Sequence, residues 1–129
     1  IHIVEQYRNT LEKALHSSEN FNPPESLKEL IALAKDHVSL GNITGEGWLL
    51  TAEMISLIKN GINNIICLQP FGCLPNHIVG KGMIRELLHS YPQANIVPID
   101  CDSGASEVNQ LNRIKLMLAV AFEKIKEHK

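Results

Sequence analysis

Residues 62–100, INNIICLQPFGCLPNHIVGKGMIRELLHSYPQANIVPID, decide the fold. The apolar run Ile62–Leu68 has the length and β-branched content of a buried strand, centred on Asn64–Leu68. NIVPI, Asn95–Ile99, reads as a second strand. Pro98 removes a backbone donor there and so favours an edge position or an early strand end. Between them Ile78, Ile84, Leu87, Leu88 and Tyr91 mark the buried stripe of a helix of about fifteen residues. Strand, helix and strand in that order make a βαβ unit with parallel strands. The expected class is therefore α/β, helix-rich, with a small parallel sheet covered by helices.

Working outward, Val4, Tyr7, Leu11, Ala14 and Leu15 are spaced as one face of an amphipathic helix, which should fray near Ser17 in the breaker cluster SSENFNPP. Pro24 suits the first turn of a second helix, with Leu27, Leu30, Ile31, Ala34 and Val38 on its apolar face and Gly41-Asn42 at its end. Both helices read as packing elements. GNITGEGW, with Gly45 and Gly47 flanking Glu46, either lets a ligand approach the backbone closely or, the reading favoured, is a tight loop with Trp48 plugging the core; Thr51 is the expected cap of a short helix that stops at Gly61. A last long helix follows Ser106, with Leu111, Ile114, Leu118, Ala121, Phe122 and Ile125 as its expected buried face. Its first turns are rich in amides, so Asn109, Asn112 and Arg113 are expected to bond neighbouring loops.

Composition bounds the function. The chain has 129 residues, 44% hydrophobic and 20% charged, with 12 basic against 14 acidic side chains and a formal charge of −2. That suits one soluble domain over 1–129, with two packing helices in 1–41 and the motif-bearing α/β part in 42–129. No basic field points to nucleic acid. No apolar run approaches the roughly 20 residues that cross a bilayer. Three cysteines are too few, and odd in number, for a secreted disulfide framework, so a reducing, cytoplasmic setting is expected. The chain opens at Ile1 without an initiator methionine, as an excised piece of a longer protein would.

Residues 67–82, CLQPFGCLPNHIVGKG, hold two prolines, two cysteines, one histidine and three glycines, far more chemistry than a strand-to-helix connection needs. Ligands of parallel sheets sit outside the carboxyl ends of the strands, so this segment and DCDSGAS, residues 100–106, should share one rim. Cys67, Cys73, His77 and Cys101 then become potential neighbours. A β-turn over Gln69–Gly72 would swing Cys73 back over the strand end, and Asn76 would cap a helix beginning near His77. The positive end of that helix favours thiolate at Cys73, hence metal ligation or nucleophilic reactivity. The alternative is plain packing, since free cysteines are often buried; Cys67, inside the apolar run, fits it better than Cys73. A zinc site lacks close ligand pairs, a Cys–His nucleophile lacks an orienting group, and Gly80-Lys81-Gly82 lacks the hydroxyl of a phosphate loop.

The phrases GEGWLLTAEM (45–54), CLQPFGCLPNHIVGKGMIREL (67–87) and YPQANIVPIDCDSGASEVNQLNRIKLML (91–118) resemble the large activators (activases) of 2-hydroxyacyl-CoA dehydratases. More narrowly, they resemble the C-terminal, dehydratase-like region of the long fused proteins in that family. The likeness is strong over residues 42–118, and QPFGCLPNH and NQLNRIKLML are its specific phrases. The resemblance implies a cytoplasmic protein of anaerobic bacteria that passes an electron at low potential, driven by ATP, to a dehydratase. It further implies an iron–sulfur cluster in the intact protein, with Cys73 the first-choice metal ligand and Cys67 the second. Cys101 falls where the related sequences tend to carry an aromatic residue, which argues against it. No ATPase phosphate loop is present, so the chain would be the downstream α/β piece, not catalytic alone. Its partners would be the remaining domains of the parent, a dehydratase-type protein, or a second copy. From another class, the alternative is a non-catalytic interaction domain without metal.

Overall fold

The computed structural model describes residues 2–21 and 23–127. Among them the elements run α1 (His2–His16), α2 (Leu27–Ala34), α3 (Leu49–Lys59), β1 (Asn64–Pro70), a helical segment that ends in α4 (Ile84–Ser90), β2 (Asn95–Cys101) and α5 (Glu107–Glu127). β1 and β2 form a two-stranded parallel sheet in register from Asn64↔Asn95 to Pro70↔Cys101, the βαβ unit expected from the sequence. Both strands run past the expected ends: β1 continues to Pro70 and β2 to Cys101.

Alternation along β1 sends Ile65, Cys67 and Gln69 to one face, where α3 and the helical crossover cover them. Ile55 of α3 and Leu87 of α4 are fully buried against Ile65 and Ile96, each burial stabilising by about 1.5–3 kcal/mol. A second cluster joins Ala34 and Val38 of the α2 region to Ala52 and Val79, with Trp48 packed on it. The sheet's other face is covered only in part. α5 packs on β2, leaving Ile66 and Leu68 of β1 exposed at 43% and 54%.

The crossover holds the main surprise. It turns helical at Leu74, passes through a π-helical turn (Asn76–Gly80) and a 3₁₀ turn (Lys81–Met83), and only then becomes α4. A π turn inserts one residue per turn and rotates the residues ahead of it relative to those after it. Val79, 3% exposed, therefore faces the core in place of the expected Ile78, which is 51% exposed. The carbonyl of Val79 is taken by the buried Thr51, whose Oγ1 donates to it at 2.6 Å.

Other expectations are corrected locally. Thr51 caps nothing: α3 begins at Leu49 after Trp48, and Thr51 lies inside it. Pro24 precedes α2 altogether, because Ser26 is the N-cap, in a reciprocal capping box with Glu29. α2 ends at Ala34 and a turn carries the chain on, with Val38 N–H donating to Ala34 O. α1 forms as expected, yet Tyr7 and Leu11 of its apolar stripe stay exposed at 71% and 65%, so it does not pack as the periodicity predicts; the Val4 side chain lies outside the described residues. On α5 the inward face is Gln110, Ile114, Met117, Ala121 and Lys124, while Leu111, Leu118, Phe122 and Ile125 of the expected face are exposed. The GEGW loop is as tight as its glycines imply: Gly45 and Gly47 have φ of 58° and 53°, and a Cβ on Gly47 would stand 2.0 Å from Asn42 O.

Candidate rim site at the strand ends

The parallel register brings both carboxyl ends to one rim, tied by Phe71 N–H donating to Cys101 O at 3.1 Å. The turn there spans Pro70–Cys73, one residue later than expected. Cys73 N–H donates to Pro70 O at 3.1 Å, and Gly72 takes the third position with φ 70°, which a residue with a Cβ adopts only under strain. Because the helical segment opens at Leu74, Cys73 itself stands ahead of it and Asn76 lies inside. Asn76 is thus no cap for the chain entering at His77. The two still interact: Cys73 Sγ donates to Asn76 Oδ1 at 2.7 Å, and Asn76 Nδ2 donates to Leu68 O at 3.0 Å. The Cys73 thiol is held half-buried at the rim by this relay. His77 Nδ1 sits 2.8 Å from Cys73 O, so its ring bonds the backbone rather than the thiol.

Cys67 points elsewhere. It lies on the covered face, packed at the edge of the main core and beneath Gly80, where an added Cβ would come within 3.3 Å of its sulfur. Gln69, 1% exposed, donates from Nε2 to Cys67 Sγ at 3.1 Å and to Leu68 O at 3.2 Å, while its Oε1 is buried without a partner. Burial pushes the Cys67 thiol up from its ordinary range, and the Gln69 donor offsets this in part. Cys101 is exposed, its Sγ directed at Ile99 O at 3.6 Å.

No match to a family model, a characterised protein or a solved structure is found for this chain. The site is therefore read from its own geometry. Among the described residues no group of three or more His, Cys, Asp or Glu side chains is placed to hold a metal ion. No helix among them is long and apolar enough to cross a membrane.

Across the rim, Lys81 of the Gly-Lys-Gly segment forms an ion pair with Asp100 Oδ1 at 3.2 Å, both side chains about two-fifths exposed. Gln110 Nε2 donates to Asp100 O at 2.7 Å and Arg113 to Pro98 O at 3.0 Å, the loop contacts expected of α5's amide-rich start. Asn109 and Asn112, expected to do the same, line a cavity instead. Sequence reasoning missed Lys81–Asp100 and the buried Gln69. The first is a long-range pair with no local signal; the second was visible only as a polar residue ending an apolar run.

Proposed function

We propose that the chain is a docking module from an activator of 2-hydroxyacyl-CoA dehydratases, acting in ATP-dependent low-potential electron transfer in the cytoplasm. Cys73 offers one thiolate ligand to an iron–sulfur cluster, with Cys67 a weaker second, and other domains of the parent or a dehydratase-type partner complete the set. The cluster, when bound, supplies the electron relay; this chain supplies position and a surface.

Bare apolar surface on β1 and the crossover, on either side of Cys73 in sequence, carries the docking part of the reading. Ile66, Leu68, Phe71, Leu74 and Ile78 are 43%, 54%, 84%, 59% and 51% exposed. The chain exposes 9192 Å² in all, where a compact monomer of 14.4 kDa exposes about 6,800 Å². That surplus is spread over the chain, with the bare faces of α1 and α5 contributing to it. The fit to a cluster is partial. Cys73 is at the rim and needs only to leave Asn76 to become a ligand, whereas Cys67 is turned beneath the sheet, and among the described residues no group of three ligands is placed to hold a metal ion. A cluster here is shared with another domain or chain.

The test is iron content after anaerobic reconstitution of the chain with ferrous iron and sulfide. The wild type and Cys101→Ser should retain iron, and Cys73→Ser should lose it with the melting temperature unchanged. Equal iron in all three removes Cys73 as a ligand and leaves docking alone; none in any means that this chain does not hold a cluster without its partner. That second reading, an interaction domain without metal, is favoured by the thiol's existing bond to Asn76.

A further inference from the structure

The sheet has two edges, and among the described residues only one of them is closed. Asn63 O accepts from Asn95 N–H at 2.7 Å and Phe71 N–H donates to Cys101 O at 3.1 Å, so Ile65, Cys67 and Gln69 turn their backbone groups toward β2. Alternation then turns the N–H and C=O of Asn64, Ile66 and Leu68 to the opposite side, where the two-stranded sheet has no further strand. On β2 the same alternation sends Ile96, Pro98 and Asp100 outward. That edge is shut: Pro98 has no donor, Arg113 donates to Pro98 O, and Gln110 donates to Asp100 O.

β1 has a single guard, near its end, where Asn76 Nδ2 and Gln69 Nε2 donate to Leu68 O. Along Asn64–Leu68 there is no charge, proline or bulge, the devices that keep an edge strand from pairing. The N–H groups of Asn64, Ile66 and Leu68 and the carbonyls of Asn64 and Ile66 stay open. The surface beside them is apolar. Arg113 holds one flank of α5 over the outer edge of β2, and the exposed Leu111, Leu118, Phe122 and Ile125 lie roughly opposite, on the β1 side. Exposed Ile66 and Leu68 form the floor next to that flank. Open backbone groups are matched by an extended strand, and neutral, apolar surroundings by one without charge.

A second copy of the chain matches this edge poorly. Its β2 edge is shut, and two β1 edges related by a two-fold axis pair antiparallel. Antiparallel pairing gives both backbone groups of Leu68 to one residue, which displaces Asn76. A parallel strand that ends there takes the N–H of Leu68 and leaves its carbonyl to Asn76. We propose that β1 is completed by strand addition: a partner protein lays an uncharged, apolar strand parallel to β1 on its free edge, with side chains over Ile66, Leu68 and the near flank of α5. This rests on the docking part of the reading above and makes no use of the cluster.

The test titrates a capped hexapeptide of alternating threonine and valine into the chain up to millimolar concentration, read by amide hydrogen exchange and backbone amide shifts. Before peptide is added, the amides of Ile66 and Leu68 should exchange at least tenfold faster than those of Ile65 and Cys67. The peptide should shift the amides of Asn64, Ile66 and Leu68 saturably and slow their exchange. N-methylation of its threonines should abolish binding and N-methylation of its valines should not, because a parallel strand with valine beside Ile66 bonds through the flanking residues. Ile66→Pro removes an outward N–H and Ile66→Lys sets a charge on the edge; each should weaken binding tenfold or more, the lysine variant with its melting temperature unchanged. Equal protection of the four amides in the free chain, no saturable shift, the reverse methylation pattern, or full binding by Ile66→Lys each overturns the proposal. Self-association that protects Ile66 and Leu68 without peptide overturns it in favour of a second copy. None of these outcomes alters iron retention at Cys73, so failure of strand addition and failure of the cluster reading are told apart.

Discussion

Thr51 Oγ1 donates to the carbonyl of Val79 across 28 residues of sequence and ties α3 to the π turn of the crossover. Both groups are buried, so the bond cannot be replaced by water. Thr51→Val keeps the shape and removes this donor to the buried Val79 O. The expected cost is about 1–3 kcal/mol in chemical denaturation, with Thr51→Ser costing clearly less. Equal losses for the two variants would mean that packing of the methyl, rather than the bond, supports the π turn.

Two glycines with similar φ should behave very differently. At Gly72, φ 70°, an added Cβ meets nothing within 4 Å, so Gly72→Ala carries only backbone strain of about 1 kcal/mol. At Gly47, φ 53°, the same atom would stand 2.0 Å from Asn42 O, so strain adds to a backbone clash and the expected loss is about 3 kcal/mol or more. Paired melting curves of the two alanine variants check this ordering.

The βαβ unit, its parallel strands and the shared rim were legible because short β-branched runs and a helix-length spacer follow local rules. The features that were not legible depended on contacts distant in sequence. The π turn leaves no signature in NHIVG, yet it decides that Val79 and not Ile78 enters the core. Asparagine so often caps helices that Asn76 looks like a cap just after Cys73; here the turn at Pro70–Cys73 ends early enough for the helix to begin at Leu74. On α5 the hydropathy pattern failed because the inward face begins and ends in polar residues. Gln110 donates to Asp100 O and Lys124 to Gln93 O, and apolar residues occupy both sides of the helix between them.

The α5 register is itself testable. Met117 is 8% exposed and Leu118 46%. Met117→Ala should cost about 2 kcal/mol, and Leu118→Ala no more than about 0.5 kcal/mol. The opposite order would restore the face read from the sequence.

Nucleotide should leave the chain unmoved. Lys81, the only lysine set between glycines, is committed to Asp100 and has no hydroxyl residue after it. ATP at millimolar concentration should therefore produce no shift in melting temperature, whereas a saturating stabilisation would reveal a phosphate site in this chain.

The three thiols should separate by rate and by pH. Cys101 is exposed and should alkylate first; Cys73 must break its bond to Asn76 and should come second; Cys67, packed beneath Gly80, should be slowest. Cys67 also leaves a mark on stability. Burial raises its pKa in the folded state above the unfolded value, so between the two the native protein holds a proton that the unfolded chain has released. The stabilising contribution is complete below the unfolded thiol range, about 8.5, and is lost as pH rises through the folded value. Denaturation midpoints measured from pH 7 to pH 10 should fall on the alkaline side, and Cys67→Ala should flatten that fall while Cys101→Ala leaves it intact. An alkaline slope unchanged in Cys67→Ala would assign the loss to another group and show that the Cys67 thiol ionises as readily folded as unfolded.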